Sequence, residues 1–473
     1  MNVKALRINP NPSQNNLQVD AELLRKFNIS GPRYTSYPTA DRFVEAFDEA
    51  AYRSWLAKRN VGGMTRSLAL YVHLPFCDTI CYYCGCNKIV TKDHGRSAKY
   101  LKYLGREIRM QSAELGGRRR VTQMHWGGGT PTFLSEAELS ELMQMIRESF
   151  ELDPHGEFSI EVDPRKVGEQ KVALLGALGM NRISVGVQDF NPEVQRAVNR
   201  IQSVEETVAV IEAARKNGFK SVNIDLIYGL PKQTLPGFSD TLSQVIACSP
   251  DRIALYNYAH LPAVFKPQRR ILDADMPQPE VKLQLMISAI ETLLAAGYVY
   301  IGMDHFSKPD DDLAVAQRQG RLYRNFQGYS TYGDCDLIGL GVSSIGKIGP
   351  TYSQNVRTLD EYYDRLDNDL LPVMRGIEVT ADDLVRRAVI QALSCHFELS
   401  MEAIGIAHLI DFRSYFATEL MELREYAKDG LVELDGDWIM VTPRGRLLVR
   451  ILCMVFDKYL RQANRRASYS KVI

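Results

Sequence analysis

The sequence predicts an α/β protein whose centre is a partial (β/α)6 barrel with extra strands, carrying an N-terminal strap and a mostly helical C-terminal domain. Three observations lead there. From about Ser67 short apolar runs alternate with longer amphipathic stretches, giving six strand and helix pairs, and strands joined by helical crossovers run parallel. A closed barrel of this kind has eight pairs, so six leave it partial. The 473 residues exceed what one core fills, which calls for attachments at the ends.

Residues 1–60 form the strap. It is polar at first and then reads "SGPRYTSYPTA", whose proline and tyrosine content suits an ordered extended cover better than a helix. Residues 61–370 hold the barrel, with strands expected in "SLALYVHL", "QMHWG", "FSIEVD", "RISVGVQ", "SVNIDLIYG" and "RIALYNYAH". Between them lie "SAKYLKYLGREIRM", "SEAELSELMQMIRESF" and "SVEETVAVIEAARKNGF"; the last two open with capping boxes, Ser135 with Glu138 and Ser203 with Glu206. The stretch from "GYVYIGMDHFSKP" to "DLIGLGVSSIG" extends the sheet. Residues 371–473 change character: a helix in "TADDLVRRAVIQALSCHFELS", a hairpin turning at Asp435-Gly436, then a last helix. Such a module resembles a winged helix. With no basic excess it reads as a packing domain that walls one side of a cavity.

Charge excludes some partners. The 57 basic residues balance 57 acidic ones, and 45% of residues are hydrophobic, so neither bulk nucleic-acid binding nor an anionic membrane surface is expected. The N-terminus lacks the apolar core of a signal peptide, and no apolar run approaches the roughly 18 residues that span a bilayer. A cytoplasmic monomer is the expectation. In a reducing compartment clustered cysteines hold metal or do catalysis more often than they form disulfides.

Four of the eight cysteines fall within ten residues, in "CDTICYYCGCNKI". Structural zinc wants four ligands, usually as two separated pairs, and no second pair follows. Cys86 is a candidate fourth ligand, but it stands awkwardly close to Cys84. Cys77, Cys81 and Cys84 on one tight loop instead suit three irons of a four-iron, four-sulfur cluster, leaving the fourth iron open to a small molecule. Active sites of parallel barrels lie at the C-terminal strand ends. There the sequence offers Gly127, Gly128, Gly129 and Thr130, then Glu161, Gln188, Asp225 and the stretch around Ala259. Glycines let backbone approach a ligand, and polar side chains at several strand ends argue for one shared ligand site.

CxxxCxxC after the first strand resembles the radical SAM enzymes, and the resemblance implies a cluster whose open iron is chelated by S-adenosylmethionine (SAM). "PRYTSYPTA", "YVHLPFCDTICYYCGCNKI", "HWGGGTPT", "SVGVQDFN" and "DLIYGLPKQT" together resemble one family among them, the oxygen-independent coproporphyrinogen III oxidases, with a layout that matches through "CMVFDKYLR". The resemblance implies oxidative decarboxylation of two substrate propionates to vinyl groups, two SAM molecules, and an unidentified electron donor and acceptor. Carried over by position, Tyr71, Gly128, Glu161 and Ile345 match residues around the cluster-bound SAM. Tyr83, Gly129, Thr130, Gln188, Arg200, Asp225 and Ala259 match residues around the second. Tyr83 stands where the family pattern has Phe. Tyr71 offers a ring face to a sulfonium, and Cys86, in "GCNK", is a candidate for substrate-side or radical handling. Arg33 and Arg321 or Arg324 are candidate partners for a tetracarboxylate. A related family, the radical SAM haem chaperones, shares the cluster loop but lacks the strap and the "GCNK" continuation.

Overall fold

The structure is a computed structural model that describes residues 17–59, 66–116, 119–333, 335–462, 469 and 471. Its centre is one twelve-stranded sheet. Strands β1 (Leu68–Leu74), β2 (Arg120–Gly128), β3 (Glu151–Val162), β4 (Arg182–Gln188), β5 (Ser221–Tyr228) and β6 (Arg252–Asn257) are the six barrel strands. Each pairs in parallel with the next. The extension consists of β7 (Val299–Gly302), β8 (His305–Ser307), β9 (Asp336–Leu340), β10 (Ile345–Ile348), β11 (Thr351–Asn355) and β12 (Val373–Glu378).

The spatial order is β12-β11-β10-β9-β1-β2-β3-β4-β5-β6-β8-β7, so β9 joins β1 in parallel and the two ends of the sheet stay unjoined. This is the open barrel that six pairs imply. The large sheet runs on past residue 370 through β12, which is antiparallel to β11.

Helices α1 (Gly95–Glu114), α2 (Glu136–Ser149), α3 (Glu169–Ala177), α4 (Val204–Lys216), α5 (Leu235–Ala247) and α6 (Pro279–Ala295) follow the six strands in turn. Both expected capping boxes are formed, Ser135 with Glu138 and Ser203 with Glu206. The strands show why the lumen is polar. In β4 and β5 every second residue is fully buried, while Ser184, Gly186 and Gln188, and Asn223, Asp225 and Ile227, are only half-buried. A period of two sends the apolar set outward and this mainly polar set inward. β1 is instead buried almost throughout, as a central parallel strand should be.

The C-terminal part holds α7 (Ala381–His396), α8 (Ala417–Lys428) and α9 (Val449–Val455) around a three-stranded sheet made of Glu398–Ser400, Trp438–Val441 and Val432–Asp435. The hairpin turn is Gly436-Asp437, one residue later than expected: Asp435 still pairs with Trp438, and Gly436 takes the left-handed backbone (φ 56°) that such a turn requires. This part also sets the strap. Arg450 donates to the carbonyls of Gly31 and Pro32, and Tyr34 donates to Asp457 at 3.0 Å. Between Gly31 and Thr39 the strap contains neither helix nor strand, but on either side of that stretch Ala21–Lys26 and Glu49–Lys58 are helical rather than extended.

A buried carboxyl ties α1 to the sheet extension. Glu107 is fully buried and accepts from Gly341 N (2.7 Å), Tyr362 Oη (2.5 Å) and Asn355 Nδ2 (2.8 Å). Burial raises its pKa to about 7 despite these donors. Glu107→Ala leaves three buried donors without their acceptor, each worth about 1–3 kcal/mol, so a loss of at least about 3 kcal/mol is expected in urea unfolding. The raised folded-state value means that the folded chain binds the extra proton, so stability falls as pH rises from about 4.5 through about 7. The wild-type urea midpoint should therefore drop across that window more than the variant's; equal slopes would contradict this reading of Glu107.

Candidate active site

The cysteine loop leaves β1 at Leu74 and is clamped at once on both sides. Phe76–Cys77 pairs in parallel with Ile89–Val90, with Ile89 N donating to Pro75 O (2.7 Å) and Thr91 N to Cys77 O (2.9 Å). From the other side Gly129 N donates to Leu74 O and Thr130 N to Phe76 O, both at 2.8 Å. A Cβ on Gly129 would stand 2.6 Å from Phe76 O, so only glycine permits this approach. Further along, Tyr82 N reaches Val198 O, Asn199 Nδ2 reaches Ile80 O, and Gln268 Nε2 reaches Tyr83 O. His73 acts as a strut: its ring nitrogens meet Tyr71 Oη (3.1 Å) and Asn87 O (2.9 Å), and burial pushes its pKa down.

The clamped loop turns Cys77, Cys81, Cys84 and Cys86 into a cavity of about 330 Å³ at the C-terminal ends of the strands. Its wall also holds Tyr83, Gly129, Thr130, Gln188, Arg200 and Asp225. Thr130 Oγ1 lies 3.6 Å from Cys77 Sγ, and Arg200 Nη1 and Arg165 Nη2 lie 3.7 Å and 4.0 Å from Cys81 Sγ. Asp163 holds both arginines in place, at 2.5 Å from Arg165 and 3.4 Å from Arg200. The thiols differ: burial raises Cys77 to about 11, whereas the Cys86 thiol beside Cys84 helps lower it to about 6. Asp225 accepts from Ser184 Oγ and Asn223 Nδ2 and is raised to about 6 by burial and by the charge of Glu161.

A second cavity, of about 450 Å³, adjoins the first. Cys86, Gly128, Glu161 and Tyr256 border both. Tyr71, Ile345, His125, Arg33 and Arg324 line the larger one. Tyr71 stacks on His125 at 6.0 Å, and Glu161 accepts from His125 Nε2 (3.1 Å) and Gly128 N (3.3 Å). Burial opposes the charge on Glu161, yet these partners hold its carboxyl below its ordinary value.

The two residue sets expected around two ligands separate only in part, since Gly128 and Glu161 of the first set border the thiol cavity as well. Tyr71, Gly128, Glu161 and Ile345 all face the larger cavity; Tyr83, Gly129, Thr130, Gln188, Arg200 and Asp225 all face the thiol cavity. Ala259 stands just outside that wall, its carbonyl sharing the Gln268 amide with Tyr83. Arg321 is exposed and bonds Gln319 rather than entering either cavity. Asp163, Arg165, His125 and Tyr256 were missed. The acid-proline-base run after β3, "DPRK", and the lumen-facing alternation of the strands are the signals that point to them.

The donor set fits a cluster with SAM. Four thiols, Cys77, Cys81, Cys84 and Cys86, open onto one cavity, and among the described residues Gln188 Oε1 and Arg200 Nε are buried there without a protein partner, which suits a polar ligand. Among the described residues no three His, Cys, Asp or Glu side chains converge as a cage for one metal ion. No helix among them is long and apolar enough to cross a membrane.

Comparison with known proteins agrees with this donor set. Residues 71–245 match the family model of the Radical SAM superfamily, and residues 379–448 match the HemN C-terminal domain. The chain is 53% identical to the oxygen-independent coproporphyrinogen III oxidase of Pseudomonas aeruginosa, over 96% of this chain and 98% of that one. It is 42% identical to the enzyme of that name from a Synechocystis species, over 97% and 98%. The solved coproporphyrinogen III oxidase of Escherichia coli, described as a radical SAM enzyme, superposes with a TM-score of 0.89 at 48% identity, covering 94% of this chain and all of that one.

Serine at Cys77, Cys81 or Cys84 removes a thiolate that no neighbour replaces, so anaerobically reconstituted variants should lose most of their iron and the broad visible absorbance of the cluster. Cys86→Ser should keep both. Full iron in any of the first three variants, or iron loss in the last, would contradict the ligand assignment.

Proposed function

Because the chain belongs to the oxygen-independent coproporphyrinogen III oxidases, a radical SAM family, we propose a division of labour between its two cavities. The reaction is the oxidative decarboxylation of two propionates of coproporphyrinogen III to vinyl groups, giving protoporphyrinogen IX in haem biosynthesis. When bound, the cluster and SAM supply a 5′-deoxyadenosyl radical that takes a hydrogen from the propionate β-carbon, after which carbon dioxide and one electron leave.

Cys77, Cys81 and Cys84 hold the cluster. The observation that carries the proposal is that these thiols share one wall with Gly129, Thr130, Gln188, Arg200 and Asp225. That neighbourhood supports placing the SAM of the open iron against this set, and the second SAM molecule in the larger cavity against Tyr71 and Ile345. The resemblance alone implies the opposite order. In the thiol cavity the Gly129 backbone and Thr130 hydroxyl orient the methionyl group, and Arg200 takes its carboxylate in a bonded pair. Glu161, bordering both cavities, pairs with an ammonium. The Tyr71 ring, braced by His125, faces a sulfonium in the larger cavity. Cys86 stands at the junction, where a thiol can give or take a hydrogen atom between the two chambers. The enzyme acts as a cytoplasmic monomer and draws on an electron donor and an acceptor whose identity is open.

Anaerobic incubation of the reconstituted protein with coproporphyrinogen III, SAM and a reductant tests this reading. Protoporphyrinogen IX is expected, with 5′-deoxyadenosine formed alongside; stable haem binding without decarboxylation would contradict it. Arg200→Gln should cut SAM cleavage by about tenfold or more, the loss typical of a charge-assisted pair. Cys86→Ser should still cleave SAM but yield little product. Full product from Cys86→Ser would remove that thiol from the mechanism.

A further inference from the structure

One side of the larger cavity carries more positive charge than the protein neutralises. Arg33, Arg324 and Arg450 influence one another there, and the carboxylate among them is Asp304. Asp304 is taken by Arg33, at 2.7 Å. Arg450 is spent on strap carbonyls, and burial together with the charge of Arg33 pushes its pKa down to about 10. Glu161 borders the same cavity but is held by His125 and Gly128.

Arg324 is 3% exposed and, among the described residues, has no carboxylate partner. Its backbone is pinned by Gln391 of α7, through Nε2 to Arg324 O (2.7 Å) and Oε1 to Arg324 N (3.2 Å). Its guanidinium lies 4.8 Å from the Tyr329 ring, and Nε reaches Arg33 O at 3.4 Å. Among the described residues its Nη1 is buried without a partner. Beside it His305 stands edge-on to Tyr329 (5.3 Å, 83°) and to Tyr256 (6.0 Å, 90°), and its Nδ1 is likewise buried without a partner. Burial and the charge of Arg324 push His305 down to about 3, so it is a neutral ring. A buried cation and a buried imidazole nitrogen left open in the wall of one cavity are costly unless an anion completes them.

We propose that Arg324 and His305 form the seat for one carboxylate of the porphyrinogen, with Arg324 Nη1 and the Nδ1–H tautomer of His305 as donors. The inference rests on the reaction given above. The carboxylate held there is one that is kept, not one that is lost: a salt bridge to Arg324 stabilises the bound anion, and holding the departing group that way would oppose release of carbon dioxide. The seat therefore orients the macrocycle so that a different propionate meets the radical. The strap serves it indirectly, since Arg33 occupies Asp304 and so frees Arg324 for the substrate.

Steady-state kinetics with coproporphyrinogen III and fluorescence binding of coproporphyrin III, beside its tetramethyl ester, test the seat. Arg324→Gln should raise KM by about tenfold or more, as expected for loss of a charge-assisted pair, with iron content within about twofold of wild type. It should weaken binding of the acid and leave the ester unchanged, whereas Arg324→Lys should recover part of the loss. Arg321→Gln, on the surface, should change nothing. An unchanged KM, or equal weakening of acid and ester, would overturn the proposal. Should Arg324→Gln fail to fold, His305→Ala carries the same expectations and the same contradictions. Arg324-dependent binding of the acid by a wild type that does not decarboxylate would leave the seat standing and remove the reaction instead.

Discussion

The site depends on how the backbone around Cys77 is held. Pro75 and Cys77 accept from the strand at Ile89–Thr91, while Leu74 and Phe76 accept from Gly129 and Thr130, so the start of the cysteine loop is bonded from two sides. A loop carrying three thiols in eight residues has no core of its own and would otherwise sample many orientations. With its entry fixed, and with Val198, Asn199 and Gln268 holding the turn, the thiols face one cavity rather than solvent or one another. The same hydrogen bonds bring the glycine run next to the thiols. One clamp therefore positions both the cysteine thiols and the glycine backbone beside them.

From that fixed point the rest follows through alternation and charge. Strands β3, β4 and β5 send Glu161, Gln188 and Asp225 inward because each sits on the lumen side of a period-two pattern. Glu161, Gly128, Cys86 and Tyr256 form a wall common to both chambers. The buried arginines are distributed by task. Arg200 and Arg165 stand near Cys81 with Asp163 balancing them, while Arg33 is balanced by Asp304 and Arg324 is left for an anion. Neutral net charge conceals this, because only local groups decide what a cavity accepts.

Much of this was legible in the sequence. The six strands, the two capping boxes and the open barrel follow from periodicity and local chemistry, which act over a few residues. The cysteine spacing and the glycine run were legible for the same reason. Three things were not. Which of Arg321 and Arg324 enters the cavity depends on a hairpin held by Gln391, some 67 residues away in sequence. How the ligand residues distribute over two adjoining chambers depends on how the curved, open sheet brings its strand ends together. The hairpin turn shifted by one residue because Asp435 retains its cross-strand partner and leaves the left-handed position to Gly436. Each is a tertiary decision, made by partners distant in the chain.

The three thiols and the Arg200 side of the barrel are expected to enclose the same small molecule. Electron paramagnetic resonance of the reduced cluster, recorded before and after adding SAM, reports contact between that molecule and the open iron. A SAM-induced change is expected in the wild type and in Tyr71→Ala, and its loss in Arg200→Gln at the same SAM concentration. A change that survives in Arg200→Gln and disappears in Tyr71→Ala would instead place the cluster-bound SAM in the chamber of Tyr71 and Ile345.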